Sequence, residues 1–164
     1  MRAVGLGARA GRRRTSGANV VVSVVVQRVE AAEGEGDTMT VVDDYLRHMG
    51  SHDWDALANT ITDNGLRRDG PFCDAIEGKD AYVAFLRGII ETLQGYVLKV
   101  ARVSPVSDRL VYVELSETFE VNGVLTEYPE CIVFETGDDG KICFVSVFMK
   151  TPGADAPVPG GRAS

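Results

Sequence analysis

Three carboxylates in this sequence sit in settings where they could move protons: Asp69, Glu117 and Glu130. Asp69 lies in the run Leu66-Arg67-Arg68-Asp69-Gly70-Pro71-Phe72. A carboxylate drawn out of water has its pKa raised and can then exchange a proton near neutral pH. Glu117 falls in Leu110 to Val121, where a period of two places it on one face with Val113, Leu115 and Phe119. Glu130 shares a face with Ile132 and Phe134 on the next apolar run. Each acid also has an ordinary reading. Asp-Gly-Pro is common turn chemistry, Glu117 can sit at a bulged rim or pair with an arginine, and Glu130 can be a solvated acid beside Pro129. Tyr45 can simply pack in the core. Of Arg67 and Arg68, one is expected in solvent and one beside an acid. His48 and His52 are expected at the surface and are too isolated for a metal site.

The elements that must position these groups follow from periodicity. Val41, Val42, Tyr45, Leu46 and Met49 recur at helical spacing over Thr40 to Met49, which ends at Gly50. Asp53 can cap a second helix that carries Trp54, Leu57 and Ile61 on one side. Asp63-Asn64-Gly65 turns the chain into a short extended piece around Leu66 to Asp69. Tyr82, Phe85, Leu86, Ile89, Ile90 and Leu93 form the broad stripe of a third helix. Four strands are expected after Gly95: Tyr96 to Val103, Leu110 to Val121, Val124 to Glu135 and Lys141 to Lys150. Asn122-Gly123 is a strong hairpin signal, and Asp138-Asp139-Gly140 makes the next turn. Helices followed by consecutive hairpins imply an α+β domain with three helices on one face of a twisted, mostly antiparallel sheet.

The 164 residues suffice for one domain with tails, and the net charge of −7 argues against a nucleic-acid partner. No apolar run has the length of a membrane span. Cys73, Cys131 and Cys143 lack the close pairs of a zinc site, and an odd number fits no closed disulfide set, so reduced thiols in the cytoplasm are expected. Residues 1–38 read as a leader outside the fold. The Arg-rich start and the valine run from Val20 resemble an export signal. Against that, Glu33-Gly34-Glu35-Gly36-Asp37 requires purine-rich codons like those of a bacterial ribosome-binding site, which makes Met39 the expected true start. A disordered native arm is the third reading. The folded domain is placed at 39–151, and the Pro/Gly/Ala-rich tail at 152–164 is expected to be disordered.

The stretch from Val41 to Met149 resembles the SnoaL-like branch of the nuclear transport factor 2-like (NTF2-like) superfamily, which includes ketosteroid isomerases, polyketide cyclases and limonene epoxide hydrolases. Asp69-Gly70-Pro71, then Gly78-Lys79-Asp80-Ala81 and Phe85-Leu86 opening the third helix, carry the likeness. The resemblance implies a cone-shaped fold, a homodimer through the outer sheet face, and chemistry without metal or other cofactor. By comparison with ketosteroid isomerases, the oxyanion-donating tyrosine falls on Tyr45 and the general-base aspartate on Asp69. The second oxyanion donor falls on Ile132, which cannot donate, and Glu117 and Glu130 are the nearby acids that can substitute. The Asp-Arg-Asp set of the epoxide hydrolases has no match on the strands. The same alignment implies pocket walls of Trp54, Phe72, Phe85, Ile89, Leu115, Phe119, Ile132, Val145, Val147 and Met149.

Two functions compete. One is an isomerase or cyclase in which Asp69 abstracts a proton alpha to a carbonyl of a small hydrophobic molecule. The other is a non-catalytic module that binds a hydrophobic ligand or dimerises. A protein-interaction domain like the transport factor is a third. Convergence of Asp69, Tyr45 and one inward glutamate on a shared cavity favours the first, and an Asp69 that points to solvent favours the second.

Overall fold

A computed structural model of the chain describes residues 36–150. The readings of the leader up to position 35, and of the tail, lie outside the described residues. Three helices and six strands follow in the order α1 (Gly36–Ser51), α2 (Trp54–Asn59), β1 (Arg67–Asp69), β2 (Ala75–Glu77), α3 (Lys79–Ile90), β3 (Val97–Ser107), β4 (Leu110–Val121), β5 (Val124–Thr136) and β6 (Ile142–Met149). The strands form one curved, unclosed sheet in the order β2-β1-β6-β5-β4-β3. Neighbours are antiparallel except β1 and β6, which run parallel. This is the expected α+β arrangement.

Local chemistry explains the elements. The α1 stripe of Val42, Tyr45, Leu46 and Met49 is buried as one face. The helix starts three residues ahead of Met39, and the buried Thr38 hydroxyl donates to the Asp108 carbonyl. Asp53 caps α2 by accepting the Ala56 N–H at 3.1 Å, and Trp54 and Leu57 are buried behind it. Between β4 and β5, Asn122 and Gly123 have φ of 52° and 82°. Two consecutive left-handed residues are what a tight two-residue hairpin requires, because that turn's twist matches the twist of the strands. Register shifts in β3 after Val100 and after Pro105 bend the strand.

The inner face is a register of side chains three strands wide. Val111, Val113 and Leu115 on β4 stand opposite Phe134, Ile132 and Glu130 on β5, which stand opposite Val145, Val147 and Met149 on β6. Phe134 is fully buried and meets the edge of the Tyr45 ring at 5.2 Å between centroids. Each such fully buried aromatic or aliphatic side chain contributes about 1.5–3 kcal/mol through removal from water. One core of this kind occupies the end of the sheet under α1 and α2. Beyond it the β4 row continues to Glu117 and Phe119, where α3 covers the sheet only in part.

Candidate functional site

That uncovered end is a cavity of about 440 Å³. Its walls are Tyr45 and Met49 from α1, Tyr82, Phe85, Leu86 and Ile89 from α3, and Phe119, Ile132, Val147 and Met149 from the sheet. The polar groups among these apolar walls are Arg68, Asp74, Glu117, Glu130 and the two tyrosine hydroxyls.

All of those polar groups except Glu130 are held in three small units. The Tyr45 and Tyr82 hydroxyls lie 2.5 Å apart. One donates to the other, so one hydroxyl proton is left over for a third group. The Tyr96 hydroxyl donates to Glu117 Oε1 at 2.7 Å. Arg68 Nη1 donates to Asp74 Oδ2, and the Arg68 guanidinium lies 4.8 Å from the centre of the Phe85 ring.

Burial sets the protonation of the site. It pushes the Glu117 carboxyl upward, against the opposing effect of the Tyr96 hydrogen bond. It also raises Glu130, helped by the neighbouring Glu117 charge and opposed by Arg68, to about 8. Two carboxyls close together in an apolar hollow cannot both ionise cheaply, so they titrate as a pair. The hydroxyl of Tyr45 is pushed well above its usual range, by burial first and Tyr82 second. Tyr82 rises to about 12, again chiefly by burial. Burial alone would raise Asp74 too, but the Arg68 charge and the hydrogen bonds it accepts outweigh that and hold it below its usual value. The site therefore sets two carboxyls that burial shifts toward their protonated forms, and two phenols, beside one guanidinium paired to one carboxylate.

Asp69 is not part of this arrangement. Its carboxylate is 37% exposed, pairs with Arg67 at 2.8 Å and does not line the cavity. The reason is strand alternation. On β1, Arg68 stands in register with the fully buried Val145 of β6, so Arg68 shares the inner face and its neighbours Arg67 and Asp69 turn outward. The buried Leu66 two positions earlier belongs to the same alternation and was a signal in the sequence that Arg68, not Asp69, faces inward.

Tyr45, Glu117 and Glu130 do line the cavity, as do Phe72, Phe85, Ile89, Phe119, Ile132, Val147 and Met149. Trp54, Leu115 and Val145 do not. Trp54 is buried under α3 and donates its indole N–H to Glu91 Oε1 at 2.8 Å, while Leu115 and Val145 are packed solid in the core below the hollow. Sequence reasoning missed Arg68, Asp74 and Tyr82 as site residues. Arg67 and Arg68 divide as expected, one half in solvent and one buried beside Asp74. His52 departs from its surface expectation. Its ring stacks on Trp54 at 5.6 Å, and Nε2 is buried without a hydrogen-bond partner. Among the described residues, no three His, Cys, Asp or Glu side chains gather as metal ligands, and no helix is long and apolar enough to cross a membrane.

A model of the SnoaL-like domain matches residues 42–145. The chain belongs to the SnoaL-like family. Within the wider NTF2-like fold, solved structures similar to this SnoaL-like chain include a protein assigned as a SnoaL-like polyketide cyclase from Jannaschia sp. CCS1. It is 20% identical with a TM-score of 0.63, covering 74% of this chain and 90% of the other. A protein assigned as a ketosteroid isomerase from Kribbella flavida is 17% identical with a TM-score of 0.62, over 78% and 90% of the two chains. A Mycobacterium tuberculosis protein solved with estradiol-17beta-hemisuccinate is 15% identical with a TM-score of 0.59, over 70% and 98%. No curated protein matches significantly. Likeness at these identities shows the fold, on which SnoaL-like and related sites of several chemistries are built.

Proposed function

We propose that this SnoaL-like protein is a small-molecule isomerase or cyclase in which a cavity carboxylate moves a proton on a hydrophobic carbonyl compound. The outward Asp69 fails the criterion set from the sequence and by itself favours a binding module, so the catalytic reading stands on Glu130 as the base. The single observation that carries this is the pairing of Glu130 with Glu117 in an apolar cavity, where burial brings Glu130 to about 8. A general base works best when its pKa is near the working pH, since it is then both available and strong. Glu117, shifted toward its protonated form by burial and held by the Tyr96 hydroxyl, would donate a hydrogen bond or return the proton. The spare proton of the Tyr45–Tyr82 pair would stabilise the enolate oxygen in a site with little water to compete. The relatives, which include proteins assigned as cyclase and isomerase, support the reaction class, and the steroid-derived ligand of the M. tuberculosis protein supports an apolar molecule of this size.

The test is turnover of a panel of enolisable cyclic ketones by the wild type and by Glu130→Gln. The expected result is a loss of about 10²–10⁴ in kcat with ligand affinity changed by only a few-fold. Full turnover in Glu130→Gln would overturn the assignment. Binding without turnover in the wild type would leave the alternative of a hydrophobic-ligand carrier.

A homodimer through the outer sheet face is proposed as well. Tyr112 on β4 and Phe148 on β6 are large apolar side chains exposed on that face, 39% and 61% respectively. A mass of two chains by light scattering, reverting to one in Phe148→Glu, is the expected outcome.

A further inference from the structure

We propose that the ligand of this cavity is an amphipathic acid, an apolar body bearing one carboxylate that is gripped by Arg68. The proposal rests on the reading of the cavity as the functional site and specifies what enters it.

The Arg68 side chain is 8% exposed, although a guanidinium is among the groups most costly to remove from water. It stays charged under any ordinary condition and carries five N–H donors in a planar fork. Among the described residues, its hydrogen-bond and ion-pair partner is Asp74, reached through Nη1 alone. Among the described residues the rest of the fork has no acceptor, and Arg68 lines the hollow. Glu130 and Glu117 face the same space, yet neither forms an ion pair with Arg68. Burial favours the protonated form of both, so they do not supply the missing anion.

The Asp74 clasp is built to hold the fork in place without saturating it. A side chain at Gly70 would collide with both the Asp74 carboxylate and Arg68 Nη1, so the backbone of the turn is shaped around the pair. The Phe85 ring, 4.8 Å from the guanidinium carbon, fixes it from α3.

The ligand class follows from desolvation. An apolar body filling this space expels the water that serves the free N–H groups of Arg68, and a neutral hydrocarbon returns nothing to them. A cation would meet the guanidinium charge directly. A carboxylate restores two acceptors in the planar geometry that the fork prefers. A volume of about 440 Å³ is within the range that holds a molecule of terpenoid or small polycyclic size.

The experiment is calorimetric titration at pH 7 with matched pairs, abietic acid against methyl abietate and decanoic acid against methyl decanoate. The acid is expected to bind on the order of tenfold or more tightly than its ester. Arg68→Met should bring the acid down to the level of the ester while the ester changes by less than about threefold. Asp74→Asn, which removes the carboxylate competing for Nη1 while its amide oxygen can still accept from it, should leave acid binding equal or tighter. If Arg68→Met does not fold, Arg68→Lys keeps the charge without the fork, and an acid preference reduced but not abolished is expected. Esters that bind as well as acids, or an Arg68→Met protein that weakens both alike, would overturn the carboxylate while leaving the cavity reading intact. Binding of neither member of either pair would overturn both.

Discussion

β4 and β1 each present one ionisable side chain to the cavity, and they hold it there by opposite means. β4 is twelve residues long, paired on both sides, and sets Glu117 between Leu115 and Phe119 on its inner row. A carboxyl in such a place sheds its charge by keeping a proton, so one hydroxyl from Tyr96 suffices for it. β1 is three residues long and sets Arg68 between two outward charges. A guanidinium cannot discharge, so the chain must bring a counter-charge with it. Asp74, from the turn just after β1, supplies one, and Gly70 leaves the room. An apolar hollow can therefore hold an acid with little support, but an arginine only with a purpose-built neighbour.

Mutations at the two strands break that comparison most directly. Leu115→Ala on β4 should cost about 2–5 kcal/mol by denaturant unfolding, because it opens a cavity in packed core. Arg67→Ala on β1, an exposed partner of Asp69 and Glu77, should cost less than about 1 kcal/mol in the same experiment. The protonation side of the comparison is sharpened by pH. Glu117 and Glu130 bind their protons more tightly in the folded than in the unfolded chain. Their contribution to stability is thus fully present below the ordinary carboxyl value of 4.5 and is lost as pH rises toward about 8. With Glu130 partly open to water, the decline should be on the order of 3 kcal/mol, measured as denaturation midpoint against pH, and it should flatten in Glu117→Gln/Glu130→Gln.

Tyr82→Phe leaves the buried Tyr45 hydroxyl without its partner and should cost about 1–3 kcal/mol. Removing both hydroxyls in Tyr45→Phe/Tyr82→Phe should recover part of that loss in the same thermal melt. The smallest effect is expected at Asp69. Asp69→Asn should leave turnover within about twofold and stability within about 1 kcal/mol, since it removes only a surface ion pair. A large loss of activity there would restore the aspartate as the base.

Elements with a repeated pattern or a marked boundary were legible from the sequence, the short α2 by its Asp53 cap and β1 as an extended piece among them. The α3 stripe, the β4 row and the Asn122-Gly123 hairpin all repeat a pattern often enough to assign a face. β2, Ala75–Glu77, offers one apolar residue and no alternation to count, so it was missed. In Arg67-Arg68-Asp69 all three side chains are charged, and only Leu66 outside the strand indicates which way they turn. The inner-face assignments of Leu115 and Val145 were right in direction, yet sequence cannot say whether an inward position ends in packed core or in open space.

Pattern along the chain decides which residues share a side, because that depends on backbone periods of 2 and 3.6 residues. It was enough to establish the α+β layout, the family resemblance and the inward acids Glu117 and Glu130. Which groups meet across the hollow depends on how β1 registers on β6 and how far α3 covers the sheet, and those are long-range packing outcomes. Only the tertiary structure could put Arg68 on one cavity with Glu117 and Glu130, join Tyr45 to Tyr82, and turn Asp69 out to water.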